Sequence, residues 1–220
     1  MTNIPSPTLL EEFLLLALND RTGQFHPVEK SSLHRAAASA VLMELAFRNR
    51  IDYDLRDMFT VDPTPTGDDI LDPVVRLISQ APVLTPHSTI YWLGKLSDEG
   101  EDIVKRGLDR LEKRGYIRCP PSMGIFWMFG LAAQPNVDTA RVNESKAALL
   151  TALSGDKIPT SRTVFLTGLI DSCGLFSYIL SDNEKQAVSA RIAEFARMDL
   201  VAQATKSISN GDAIAVAAGG

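Results

Sequence analysis

TLLEEFLLLALNDRTG, residues 8–23, decides the fold class. Leu9, Leu10, Phe13, Leu14, Leu16, Ala17 and Leu18 cover most of a helix circumference rather than one stripe, so the spacing predicts a helix packed on nearly all sides. Thr8 followed by Glu11 fits a capping box, and Gly23 closes the turn that follows. Such a helix needs neighbours all round it. HRAAASAVLMELAFRNR (34–50) supplies a second apolar helix, whose small residues Ala36 to Ala40 let another helix approach closely.

Helical spacing continues over ILDPVVRLISQ (70–80), 88–97, 99–114, 138–154, 160–174 and 183–198, with a short apolar segment at 212–218. The two prolines in DMFTVDPTPTGDD (57–69) mark a connector. Thr66 is expected to cap the helix after it, with Asp69 three residues on; Pro73 either kinks that helix or restarts it with Asp72 as N-cap. Strand-like alternation occurs in YIRC (116–119) and IFWMF (125–129), which read as a hairpin joined by PPSMG. No internal repeat interrupts this pattern. The fold expected is mainly α: a single compact helical domain, a core bundle surrounded by amphipathic helices, with one protruding β-hairpin.

At 220 residues, 45% hydrophobic and 22% charged, the chain is long enough to bury a core and too apolar for disorder. A net charge of −5 argues against coating nucleic acid through overall charge. FLLLAL (13–18) and GIFWMFGLAA (124–133) fall well short of the roughly 18–20 apolar residues of a spanning helix. MTNIPSPTLLEE lacks a basic stretch followed by an apolar one, so no secretory signal is expected. Cys119 and Cys173 make neither a disulfide framework nor a metal spacing, and the chain reads as cytoplasmic.

Catalytic chemistry finds no foothold. His26, His34 and His87 show no HxxxH or HExxH spacing, and neither GxSxG nor a phosphate-loop pattern occurs. Asp68 and Asp69 read as helix N-terminal charge rather than cation ligands. The expectation is a protein without catalytic residues, metal or cofactor.

EGEDIVKRGLDRLEKRGYIR (99–118) is the most basic stretch. Ile103, Leu108 and Leu111 form a buried stripe, and Lys105, Arg106, Arg110, Lys113 and Arg114 spread over the remaining surface. One reading is a solvated face with pairs such as Asp109 to Lys113. Another takes helix, RGYI and hairpin as a winged-helix module, but Met123, Ile125, Phe126 and Trp127 stand where a DNA-contacting wing needs polar or basic residues. An apolar hairpin beside a basic helix suits an anionic membrane or an oligomer interface better than nucleic acid.

TLLEEFLLLALNDRTG, AVLMELAFRNRID (40–52), PTGDDILDPVVRLI (65–78), Trp92 with Leu96 and Ser97, and DRLEKRGYI (109–117) resemble, in order and spacing, the Golgi phosphoprotein 3 family (the GPP34 domain). The resemblance implies one such domain over residues 1–220, in a short member of bacterial type. It also implies no enzymatic activity and a peripheral position on the cytosolic face of a membrane, the Golgi in a eukaryote. Anionic lipid is the implied ligand, phosphatidylinositol 4-phosphate in eukaryotic members. A homo-oligomer and the cytoplasmic tails of membrane enzymes are the implied protein partners. The family's headgroup pocket uses a tryptophan before the second helix, an arginine within it, and two arginines one turn apart before the hairpin. Here the in-helix position is Ala38, the pair is Glu101 and Val104, and no tryptophan occurs between Gly23 and Arg35. Arg35, Lys105 and Arg106 are the cations that stand in for a headgroup site; Met123, Ile125, Phe126 and Trp127 are the hairpin residues for membrane or oligomer contact.

Overall fold

The computed structural model describes residues 6–53, 57–81, 87–118, 136–137, 139–155 and 158–195. Its centre is helix α1, Leu9–Ala17, of which only Glu12 is not fully buried. Thr8 and Glu11 make the expected capping box: Thr8 Oγ1 accepts from the Glu11 N–H, and the Thr8 N–H donates to Glu11 Oε2 at 2.8 Å. The helix stops at Ala17 because Leu18 turns extended and bridges Phe25. Gly23, at φ 66°, closes the intervening turn, its N–H donating to the Asn19 carbonyl.

Helix α2, Lys30–Phe47, starts four residues before His34 and packs on α1. Ala36, Ala37, Ala38, Ser39 and Ala40 are fully buried, so the small residues admit neighbours as their size requires. After α2 come two short antiparallel strands, β1 (Ile51–Tyr53) and β2 (Met58–Thr60), in register Ile51 with Thr60 and Tyr53 with Met58. The sequence pattern does not reveal this pair, because three-residue strands are too short to display a period.

Helix α3, Leu71–Ser79, buries Leu71, Val74, Val75 and Ile78. Thr66 does not cap it. Asp68 does: its Oδ1 accepts from the N–H groups of Ile70 and Leu71, while Thr66 donates to Asp72. Pro73 falls in the first turn of the helix, where its missing N–H costs nothing, so neither kink nor restart is needed. Helices α4 (Thr89–Asp98) and α5 (Gly100–Lys113) meet at Glu99. Gly107 brings α5 against α1: a Cβ there would lie 2.5 Å from Leu14 Cδ1.

Beyond Gly115 (φ 75°), strand β3 (Ile117–Arg118) pairs with β4 (Asn136–Val137), Ile117 opposite Val137. The described partner of the YIRC strand is therefore 136–137; IFWMF, Met123, Ile125, Phe126, Trp127 and Cys119 lie outside the described residues, as does 212–218. Helices α6 (Thr139–Ser154), α7 (Ser161–Ser172), α8 (Phe176–Ile179) and α9 (Asp182–Phe195) complete the described chain. The helix expected over 160–174 ends at Ser172 and resumes as α8 after Gly174, at φ 64°. The outcome is mainly α, with α1 in contact with α2, α5, α6 and α7.

Candidate functional site

A cleft of about 290 Å³ opens where the α1–α2 connection meets the first turns of α2 and α5. Phe25, Pro27, Val28, Leu33 and Val104 give it apolar walls, while Lys30, His34 and Glu101 bring charge or polarity to it. Local sequence builds the wall. Asn19 Oδ1 accepts from the N–H groups of Arg21 and Thr22, and the His26 N–H donates to the Ala17 carbonyl at 2.9 Å, which folds residues 18–26 back on the end of α1. His26 is buried, stacks on Tyr178 at 5.1 Å between ring centroids, and leaves Nε2 without a hydrogen-bond partner.

The opposite wall depends on a glycine. A Cβ on Gly100 would lie 2.3 Å from His34 Cβ and 2.9 Å from His34 Cα, so only glycine lets the start of α5 reach the start of α2. That approach places Lys30 Nζ 2.6 Å from Glu101 Oε2, across 71 residues of sequence, with both side chains about half exposed. Burial, reinforced by Lys30, holds the His34 pKa below its ordinary value; burial, reinforced by Lys146, does the same for His26. The hydrogen bond and charge of Lys30 hold the Glu101 carboxyl below the usual range. Near neutral pH the cleft thus carries neutral imidazoles and one ion pair. Its lining combines polar and charged side chains with apolar ones, and no nucleophile–base constellation lines it among the described residues.

The cations expected at a headgroup site do not line this cleft. Arg35 is half-buried and donates to Ser32 Oγ at 3.1 Å. Lys105 is exposed on α5. Arg106, also exposed, pairs with Asp102 at 2.6 Å and reaches the Asp69 carbonyl. Two further α5 cations are engaged inside the fold. Arg110 clamps Asp68 through two 2.8 Å hydrogen bonds and also contacts Asp69; Arg114 Nε lies 2.8 Å from Oε1 of the fully buried Glu11, an ion contact rather than an aligned hydrogen bond. Burial alone would raise the Asp68 pKa, but Arg110 and the Ile70 and Leu71 N–H groups outweigh it and hold the carboxyl below its usual range. Asp68 and Asp69 are thus occupied by an arginine, and no group of His, Cys, Asp and Glu among the described residues is arranged for a metal. Asp109 and Lys113 make no ion pair with each other among the described residues.

Sequence reasoning missed Lys30 and placed His34 only as a helix opener. The available signal was their i,i+4 spacing at the start of α2. The family resemblance points to the positions of Glu101 and Val104, and both line the cleft.

A family model described as Golgi phosphoprotein 3 (GPP34) matches residues 9–210. The chain belongs to the Golgi phosphoprotein 3 family. It is 28% identical over 199 residues to a vacuolar protein sorting-associated protein 74 of Eremothecium gossypii, covering 81% of this chain and 57% of that relative. To the Schizosaccharomyces pombe protein of the same name it is 28% identical over 171 residues, covering 68% and 49% respectively. The match thus spans about half the length of these relatives. Within this GPP34 chain the cleft combines residues from the α1–α2 connection, α2 and α5, and no described helix is long and apolar enough to cross a membrane.

Proposed function

We propose that this chain is a non-enzymatic peripheral membrane protein that binds anionic lipid, with the mouth of the cleft as the headgroup site. Family membership favours phosphatidylinositol 4-phosphate as the headgroup and a role in membrane-protein sorting, with cytoplasmic tails of membrane enzymes as clients. The cytosolic face of a membrane, the Golgi in a eukaryote, is the place for such a protein.

The observation that carries this reading is the meeting of two helix N-termini at a cleft holding Lys30 and His34. Neither α2 nor α5 has a side-chain cap; the first turn of α2 holds no acidic residue, whereas that of α5 holds Glu101 and Asp102, so the anion-attracting end is that of α2. Helix N-termini carry partial positive charge and attract anions. Lys30 stands at the end of α2 where a cation is disfavoured by about 0.3–1 kcal/mol. Such a placement is counterproductive for stability and suits anion capture. Outside the cleft, exposed Lys105 adds attraction of about 1 kcal/mol near an acidic surface, Arg106 adds less because it is paired with Asp102, and Arg35 adds charge on the adjoining turn of α2.

Sedimentation with vesicles tests this directly. Neutral, generally anionic and phosphatidylinositol 4-phosphate-containing vesicles are compared; selective binding to the last is expected, and no binding to any sinks the reading. A second reading, an oligomerisation module, rests on the apolar sequence of residues 119–135, which lies between β3 and β4 in the chain. It predicts that Ile125→Asp dissociates an oligomer, and unchanged elution on gel filtration would remove it. The winged-helix reading ranks last, since Arg110 and Arg114 are spent on internal carboxylates; salt-sensitive retention of duplex DNA on filters would revive it.

A further inference from the structure

The Lys30–Glu101 ion pair does more than decorate the cleft. We infer that Glu101 masks Lys30, so that a phosphate-bearing ligand must displace this carboxylate to enter, and that Glu101 thereby sets how weakly the site holds anions. This inference rests on the lipid-binding reading of the cleft.

Three observations carry it. The pair spans the two sides of the cleft, one partner on the first turn of α2 and the other on the first turn of α5. The framework brings the two partners close, because Gly100 lets the start of α5 approach His34 where a Cβ would clash. Both side chains are about half exposed, so an entering anion reaches Lys30 without the fold opening.

The chemistry is exchange of one oxyanion for another. In the closed arrangement the Lys30 ammonium donates to the Glu101 carboxylate at 2.6 Å. A phosphate monoester offers the same donor more negative charge, and the carboxylate swings into solvent. An ion pair this exposed holds its closed form by no more than about fivefold. The mask is therefore weak enough to open and strong enough to matter, since the displaced carboxylate still repels a nearby phosphate. His34 adds no positive charge near neutral pH, so Lys30 is the cation that the mask controls within the cleft.

Glu101→Gln tests the mask. Its dissociation constant for phosphatidylinositol 4-phosphate vesicles is compared with wild type at low and high salt. Asp109→Asn, which removes the same charge from an exposed position of α5 outside the cleft, is the control. Thermal denaturation first shows that each variant is folded. The expected result is roughly five- to tenfold tighter binding by Glu101→Gln at low salt, shrinking at high salt, with Asp109→Asn close to wild type. The gain should largely vanish in a Lys30→Ala background. Soluble inositol 1,4-bisphosphate should compete, which assigns the gain to headgroup recognition; failure to compete would place the gain on the general membrane surface and overturn the mask.

Equal gain in Asp109→Asn would overturn it as well, as would the full gain surviving in Lys30→Ala. If wild type binds selectively and Glu101→Gln is no tighter, the mask fails while the lipid reading stands. If neither folded protein binds any vesicle, the lipid reading fails and the mask falls with it.

Discussion

Two sets of ion pairs in this molecule differ in what surrounds them. Around α1 it is the carboxylates of Glu11 and Glu44 that are buried. Glu11 is fully buried against Arg114, and Glu44 accepts from the Leu9 N–H while pairing with Arg48 and Arg162. Arg162 also donates to Glu12 and to the Pro7 carbonyl, so one guanidinium ties the start of α7 to α2 and to the entrance of α1. At the cleft, Lys30 and Glu101 meet in the open. Charge arithmetic along the sequence treats these pairs alike. Burial separates them: a sealed pair cannot lose one member cheaply, whereas an open pair can exchange its partner for a ligand.

The largest expected effect is at the sealed end. Arg114→Ala leaves the Glu11 carboxylate buried without its counter-ion and should cost about 3–5 kcal/mol in urea denaturation, with Glu11→Gln recovering part of the loss in the same background. A single mutant within about 1 kcal/mol of wild type would break the contrast between the two sets. Gly100→Ala joins the two regions, since the new methyl meets the Cβ and Cα of His34. A loss of about 1–3 kcal/mol is expected, together with weaker vesicle binding as Glu101 and Lys30 move apart.

Acid sensitivity follows from the histidines. The pKa values of His26 and His34 are lowered in the folded state, each chiefly by burial, so the unfolded chain binds more protons just below its ordinary histidine pKa. Stability is therefore full above pH ~6.5 and falls as pH drops through that value, by at most ~1.4 kcal/mol per pH unit for each histidine. Melting temperatures from pH 7 to 5.5 should decline, and His26→Gln should flatten the slope. A slope unchanged by that substitution would show that His26 titrates normally. Smallest in stability is Lys30→Ala, expected to cost under about 1 kcal/mol yet to weaken vesicle binding clearly. Charge reversal at Lys105 and Arg106 should weaken binding at low salt more than at high salt, because exposed charges are screened; unchanged binding removes that face from the account.

Helical spacing and cap chemistry were legible wherever the signal is local. The α1 capping box and the α2, α4, α5, α6, α7 and α9 segments follow from periods of a few residues. Boundaries slipped where tertiary contacts decide them, as at Thr66, whose expected role belongs to Asp68 because Arg110, 42 residues away, fixes that aspartate in place. The β1–β2 hairpin is held by pairing rather than by a pattern within three-residue strands. The cleft is the least legible feature. Lys30 and Glu101 are separated by 71 positions, and their meeting depends on a glycine whose role shows only against His34.

Helix α1 has one more consequence, in the order of synthesis. Its nine residues are made well before their partners on α5, α6 and α7, which lie as far on as Ser172. At typical translation rates the interval between Ala17 and Ser172 is roughly 8–30 s. For that time a segment apolar on nearly every side has no complete burial site, and α2 can cover only part of it. Until its second half arrives the nascent chain leaves this apolar stretch incompletely covered, and slowing translation in that second half should lengthen chaperone occupancy on residues 9–18.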